Sequence, residues 1–130
     1  MHASVHIKSS HEGTSLEFSD YTGDYFQASL RGPSFQGCGR VYAYEPSHLA
    51  AFFRDLAAHW EGWSGKKEWG SLEGELLFAA TSDSTGHTSL SVRLRSGAYP
   101  LDWTLTGVLL IDAGQLESIA KQMNEFLSAH

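Results

Sequence analysis

Val5 and Ile7 alternate with polar residues across Ala3–Lys8, and Leu16 and Phe18 do the same before Ser19, Asp20, Tyr21, Thr22 and Gly23. Period-two alternation puts apolar side chains on one face of a half-buried strand, and a Ser/Asp/Thr/Gly cluster ends it. Tyr25–Leu30 resumes the pattern with Phe26, Ala28 and Leu30, and Gly32 and Pro33 break it. Phe35–Tyr44 reads as a long strand interrupted by Gly37 and Gly39, which predict a bulge or a close backbone approach.

The period then changes. Pro46 suits the first turn of a helix, where its missing N–H has no partner to lose. Leu49, Phe52, Phe53, Leu56 and Trp60 fall on one helical stripe, Arg54, Asp55 and His59 lie off it, and Gly62 is the expected stop. Trp63–Gly70 reads as a long connection. Glu73–Thr81 holds the apolar run Leu76–Ala80, as a central strand does, and Ser82–Gly86 is a hairpin turn. His87–Arg95 alternates Leu90, Val92 and Leu94 with Ser91, Arg93 and Arg95, giving one buried and one wet face. Ser96–Pro100 turns again and Leu101–Ile111 returns. Asp112 followed by Gln115 opens a second helix in the manner of a capping box, with Leu116, Ile119, Ala120, Met123 and Leu127 on one face.

Two stretches follow one plan. Val41–Leu49 runs on into Phe52 and Leu56; Val108–Leu116 runs on into Ile119 and Met123. Upstream, Asp20, Thr22 and Gly23 are matched by Asp83, Thr85 and Gly86. Short turns between strands imply antiparallel neighbours, and a sheet with one apolar face needs the helices to cover it. The expectation is a single α+β domain spanning residues 1–130, with halves of about 1–61 and 71–130. It has one curved antiparallel sheet of about seven strands and two helices, in the order ββββ-α-βββ-α, and a pseudo-twofold relating the halves is the accompanying hypothesis.

Composition narrows the function classes. Hydrophobic content of 42% and charged content of 18% are globular values. Nine basic against fifteen acidic residues give a net charge of −6, and the one basic pair, Lys66 and Lys67, is flanked by Glu61 and Glu68. Nucleic-acid and anionic-membrane binders need clustered Lys and Arg, so neither partner is expected. The single cysteine, Cys38, excludes an internal disulfide. No stretch approaches the ~18 apolar residues of a membrane span, and no basic segment followed by an apolar run opens the chain. The expected compartment is the cytoplasm.

No motif declares a reaction. Seven histidines are scattered, and with one Cys no zinc-ligand set has recognisable spacing, so neither metal nor cofactor is expected. His87 follows Asp83 across a turn and could form an acid–base pair, but Asp83 has a twin in Asp20 that no His follows, which favours a turn-forming role. Cys38 between two glycines reads as a buried structural thiol. No catalytic residue is assigned. The sharpest local feature is the tryptophan stretch. Trp60 reads as core, whereas Trp63 and Trp69 either plug the end of the sheet or serve as anchors for a partner, Trp being enriched among residues that dominate interfaces.

Trp60, Gly62, Trp63 and Gly65 with Trp69, then Gly86-His87, Trp103, and Ala113-Gly114-Gln115-Leu116-Glu117 together resemble a small bacterial domain family of unknown function, over roughly residues 16–128. The layout of strands, helix, strands and helix is also similar to that of WapI-type immunity proteins of bacterial polymorphic toxin systems, which neutralise a cognate toxin by binding it. That similarity implies a non-enzymatic binding protein, an immunity protein whose partner is a protein toxin, and it carries over no functional residues. The expected partner contacts, chosen from the residues, are Trp63, Glu68 and Trp69 in the connection, and Asp20, Asp24, Asp83 and Asp102 in or beside turns. The competing class is a small-molecule binder or enzyme using the concave face of the sheet, with Arg40, Tyr42, Tyr44, Arg93 or Arg95 pointing inward. The expected assembly is a monomer or a homodimer, the latter with Trp63 and Trp69 meeting a symmetry mate.

Overall fold

The computed structural model describes residues 4–11, 13–83, 85–97 and 102–128. The expected turn at 98–100 and the start of the strand expected from Leu101 lie outside them. The first half forms β1 (Ser4–Lys8), β2 (Ser15–Thr22), β3 (Tyr25–Arg31) and β4 (Gln36–Tyr42), then α1 (Pro46–Ala58). The second forms β5 (Lys67–Gly70), β6 (Leu76–Ser82), β7 (His87–Arg95) and β8 (Thr104–Asp112), then α2 (Ala113–Ser128). The chain is α+β, as expected, but the described residues make eight strands in two four-stranded antiparallel meanders, not one sheet of seven.

Two physical facts account for the difference. β5 is four residues, Lys67, Glu68, Trp69 and Gly70, too short for alternation to reveal it inside a Gly- and Lys-rich connection. The last strands of the two sheets do not pair, and each is met by a loop of the other half. Tyr42 of β4 donates its N–H to Oε2 of Glu75, in the β5–β6 loop, at 3.0 Å. Leu110 of β8 donates its N–H to Ser9 Oγ at 2.9 Å and accepts from the Ser10 N–H at 2.8 Å, both in the β1–β2 loop. These contacts occupy the hydrogen-bonding edge of each strand at Tyr42 and at Leu110.

Alternation sorts the faces as the sequence implies. Val5, Ile7, Leu16, Phe18, Phe26, Ala28 and Leu30 are buried from the first sheet, and Leu76, Phe78, Ala80, Leu90, Val92 and Leu94 from the second. The glycines of β4 mark a close approach and not a bulge, since the β3–β4 register is regular from Tyr25↔Tyr42 to Arg31↔Gln36. A Cβ on Gly37 would stand 3.0 Å from Leu105, one on Gly39 3.3 Å from the carbonyl oxygen of Arg95, and one on Gly107 3.2 Å from the Phe35 ring. The two sheets are packed to within a methyl group of each other there. The alternation that turns Gly37 and Gly39 inward turns Cys38 outward, so it is exposed and not the buried thiol expected.

The helices pack on each other, and each also crosses to the other half. α2 lies against β1, and α1 against β5. Phe126 of α2 sits 6.3 Å from Phe18 and 6.2 Å from Phe26, centroid to centroid, in the first sheet. Phe52 and Phe53 of α1 sit 5.7 and 5.6 Å from Phe78 in the second. Stacked, tilted and edge-on pairs at such spacings add to the burial term. Asp112 and Gln115 form the expected cap, the Asp112 N–H donating to Gln115 Oε1 at 2.8 Å. Among the described residues no helix is long and apolar enough to cross a membrane.

Candidate functional site

Among the described residues, the inner faces of both sheets carry buried apolar side chains and not the polar lining expected of a concave site. The residues expected to line one are on the outside: Arg40, Tyr44 and Arg93 are exposed, and Tyr42 and Arg95 half-buried. A large open groove lies instead between α1 and α2. It measures about 890 Å³ and its floor is built of small residues, among them Ala51, Ala58, Ala113, Gly114 and Ala120. Two helices whose facing positions carry methyl groups or hydrogen leave a trough that larger side chains would have filled.

Trp60 also lines this groove and is 55% exposed. The stripe placed it in the core, but α1 ends at Ala58, where the His59 N–H bonds back to the carbonyls of Asp55 and Leu56. Beyond that point the helical period no longer dictates direction, and the indole falls on the surface. The rim is charged. Asp55 is engaged, 2.8 Å from Lys67 Nζ and 3.1 Å from His59 Nδ1. The side chains of Arg54 and Glu117 also reach the rim, and neither has an ion pair within the described residues. This arrangement can take an apolar group against the alanine floor and the indole, with one charge of each sign beside it. It contains no nucleophile paired with a base.

The family model for a family of unknown function, DUF6228, matches residues 6–130. The chain belongs to this family. No curated protein and no solved structure matches it. Membership of DUF6228 agrees with the resemblance carried by the Trp and Gly pattern.

The contacts expected from the sequence lie in several places on the DUF6228 chain. Trp63 and Trp69 are half-buried against the core. Trp69 packs 5.4 Å from Phe78, and the Lys67 ammonium stands 5.5 Å from the Trp63 ring. Glu68 beside them is exposed, 4.0 Å from Lys66. Asp102 is 4.0 Å from Arg95 Nε. Asp20 and Asp24 are exposed at the β2–β3 end of the first sheet, away from the tryptophans in sequence; the Asp20 carbonyl accepts from the Arg40 guanidinium of β4 and the Asp24 carbonyl from the Ala43 N–H just beyond it.

Asp83 shapes its own turn. Its Oδ1 accepts the N–H of Thr85 at 2.8 Å, the Thr85 hydroxyl at 2.9 Å and the N–H of His87 at 3.0 Å. The bonds from the His87 and Thr85 backbones hold its pKa down at about 2. His87 Nδ1 is 3.4 Å from Asp83, and its Nε2 is 3.2 Å from Asp112 at the start of α2. The imidazole therefore ties a turn to a helix start. Among the described residues no group of three or more His, Cys, Asp or Glu is placed to hold a metal ion.

The groove was not legible in the sequence. Its floor residues carry no chemistry, and its one aromatic was assigned to the core. The signal that existed was the run of small residues off the apolar stripe, Ala51, Ala58 and Gly114.

Proposed function

We propose that this chain is a non-enzymatic binding protein, an immunity protein that neutralises a bacterial toxin by seating an apolar segment of it between α1 and α2. The observation that carries this reading is Trp60: a tryptophan 55% exposed beside a groove of about 890 Å³. Tryptophan is enriched among the few residues that dominate binding energy at protein interfaces, and exposed apolar surface marks such sites. The net charge of −6 supports a basic partner, since complementary charge speeds association. The immunity assignment itself rests on the similarity of layout.

The test is affinity for the product of the adjacent reading frame, with wild-type chain and with Trp60→Ala. Binding that falls about tenfold or more in the variant, with the melting temperature unchanged, is the expected result. A neighbouring product that does not bind, or a variant that binds like wild type, removes the reading.

A second reading has one observation in its favour: the groove volume lies in the range of small-molecule sites. On that reading Arg54 and Glu117 would orient a ligand bearing both charges, and the chain would bind no protein.

A further inference from the structure

A second surface, at the other end of α1 from Trp60, carries a separate inference. Tyr25 of β3 pairs across the ladder with Tyr42 of β4, their ring centroids 5.5 Å apart. Tyr44, just beyond β4, continues the row at 6.1 Å from Tyr42. Tyr25 is 41% and Tyr44 53% exposed, so the row is a strip of ring faces and edges open to solvent. Nothing in core formation requires it, because Phe26 and Val41, the next residues along each strand, supply the buried face.

Carboxylates outnumber cations around the strip. Asp20, Asp24 and Glu45 are exposed beside it. The one strand cation there, Arg40, is turned onto the backbone, its Nη1 3.2 Å from the Asp20 carbonyl oxygen and its Nη2 3.4 Å from that of Tyr25. His48 stands 3.0 Å from Glu45. The Glu45 carboxylate raises the pKa of the Tyr44 hydroxyl. Three exposed carboxylates against one guanidinium leave the surroundings of the strip negative on balance.

Backbone strain marks the same place. Among the described residues, Asp20 at φ 49° and Glu45 at φ 48° are the non-glycine positions in the left-handed region. Asp20 sits in the irregular stretch of β2 between Ser19 and Thr22, and Glu45 sits at the start of α1 with no side-chain cap. Each is disfavoured for an L side chain, and such outliers concentrate at functional surfaces. Both flank the tyrosines.

We propose that the Tyr25–Tyr42–Tyr44 strip binds an arginine- or lysine-bearing segment of a protein partner, with the cation over the rings and Asp20, Asp24 and Glu45 as counter-charges. A cation over an aromatic face is attracted by the ring quadrupole, and carboxylates at the rim add direct charge pairing. Strand pairing at Tyr42 is not available to the partner, because the outward N–H of Tyr42 is already given to Glu75. The proposal needs neither Trp60 nor a toxin, so it stands if the groove reading fails.

The experiment is fluorescence anisotropy of a labelled octa-arginine peptide titrated with the full chain at 50 and 200 mM NaCl. Saturable binding that weakens with salt is expected. Tyr44→Ala should weaken it about two- to fivefold, while Tyr44→Phe, which keeps the ring, restores it. Asp24→Asn should weaken binding, whereas Glu61→Gln, which removes the same charge from an exposed residue beyond the far end of α1, should not. Absence of saturable binding overturns the proposal. So does equal weakening by Asp24→Asn and Glu61→Gln, which would mean that only net charge is read, and so does Tyr44→Ala binding like wild type.

Discussion

Glu75 and Tyr42, 33 positions apart, are joined by a hydrogen bond of 3.0 Å from the Tyr42 N–H to the Glu75 carboxylate. Glu75 is 5% exposed, and its other oxygen accepts the Ser71 hydroxyl at 2.7 Å. The Glu75 main-chain carbonyl also takes the Arg95 N–H at 2.8 Å. One residue of the β5–β6 loop thus seals the edge of the first sheet and the end of β7 in the second. The Ser9–Ser10 loop seals β8 from the other side, so each half closes an edge for the other.

Glu75→Ala leaves two buried donors without partners and is expected to cost about 2–3 kcal/mol in urea denaturation. Glu75→Gln keeps one acceptor oxygen for the Tyr42 N–H, and the Ser71 hydroxyl can reorient, so the loss should be smaller. Equal losses for the two variants would show that the bond to Tyr42 contributes nothing.

Gly39→Ala places a methyl group 3.3 Å from a backbone oxygen of β7, which side-chain rearrangement cannot relieve. A loss of about 1–3 kcal/mol is expected. Gly114→Ala meets nothing within 4 Å and lies in α2, so it should gain up to about 1 kcal/mol. Thermal melts of the pair separate sheet contact from backbone propensity.

Phe126 meets Phe18, Phe26 and Tyr21 at centroid distances of 5.7 to 6.3 Å. Truncation to Ala removes the side chain that fastens α2 to the first sheet. The expected cost is about 3–5 kcal/mol by denaturant titration. A loss below about 1 kcal/mol would mean that α2 is held by other contacts.

Asp83 ties stability to acid. Its pKa is lowered to about 2 in the folded chain, so its contribution is present above the unfolded carboxylate value near ~4 and is lost as pH falls through about 2. Urea midpoints measured between pH 5 and 2 should fall less steeply for Asp83→Asn than for wild type. Parallel pH profiles would rule the linkage out.

Cys38 faces solvent on the outer side of β4. It should react with a thiol reagent in the native state at a rate close to that in urea. Protection of more than about a hundredfold would place it inside.

Strand alternation in Val5–Ile7, Leu16–Phe18, Phe26–Leu30 and Leu90–Leu94, the helix opened by Pro46, and the Asp112–Gln115 cap were legible because each follows from contacts within a few residues. The chain's membership of the α+β class follows from them. What tertiary structure decided is everything that needed two distant segments at once. The split into two sheets, with Glu75 reaching Tyr42 and Ser9 reaching Leu110, joins segments far apart in the chain. The service of Gly37, Gly39 and Gly107 as an intersheet seam depends on where β7, β8 and Phe35 pass. Trp60 left the core because the backbone stopped being helical two residues before it, and a groove of alanines became visible only when two helices were laid side by side. Periodicity reports which way a side chain points from its own element; it carries no information on what stands opposite.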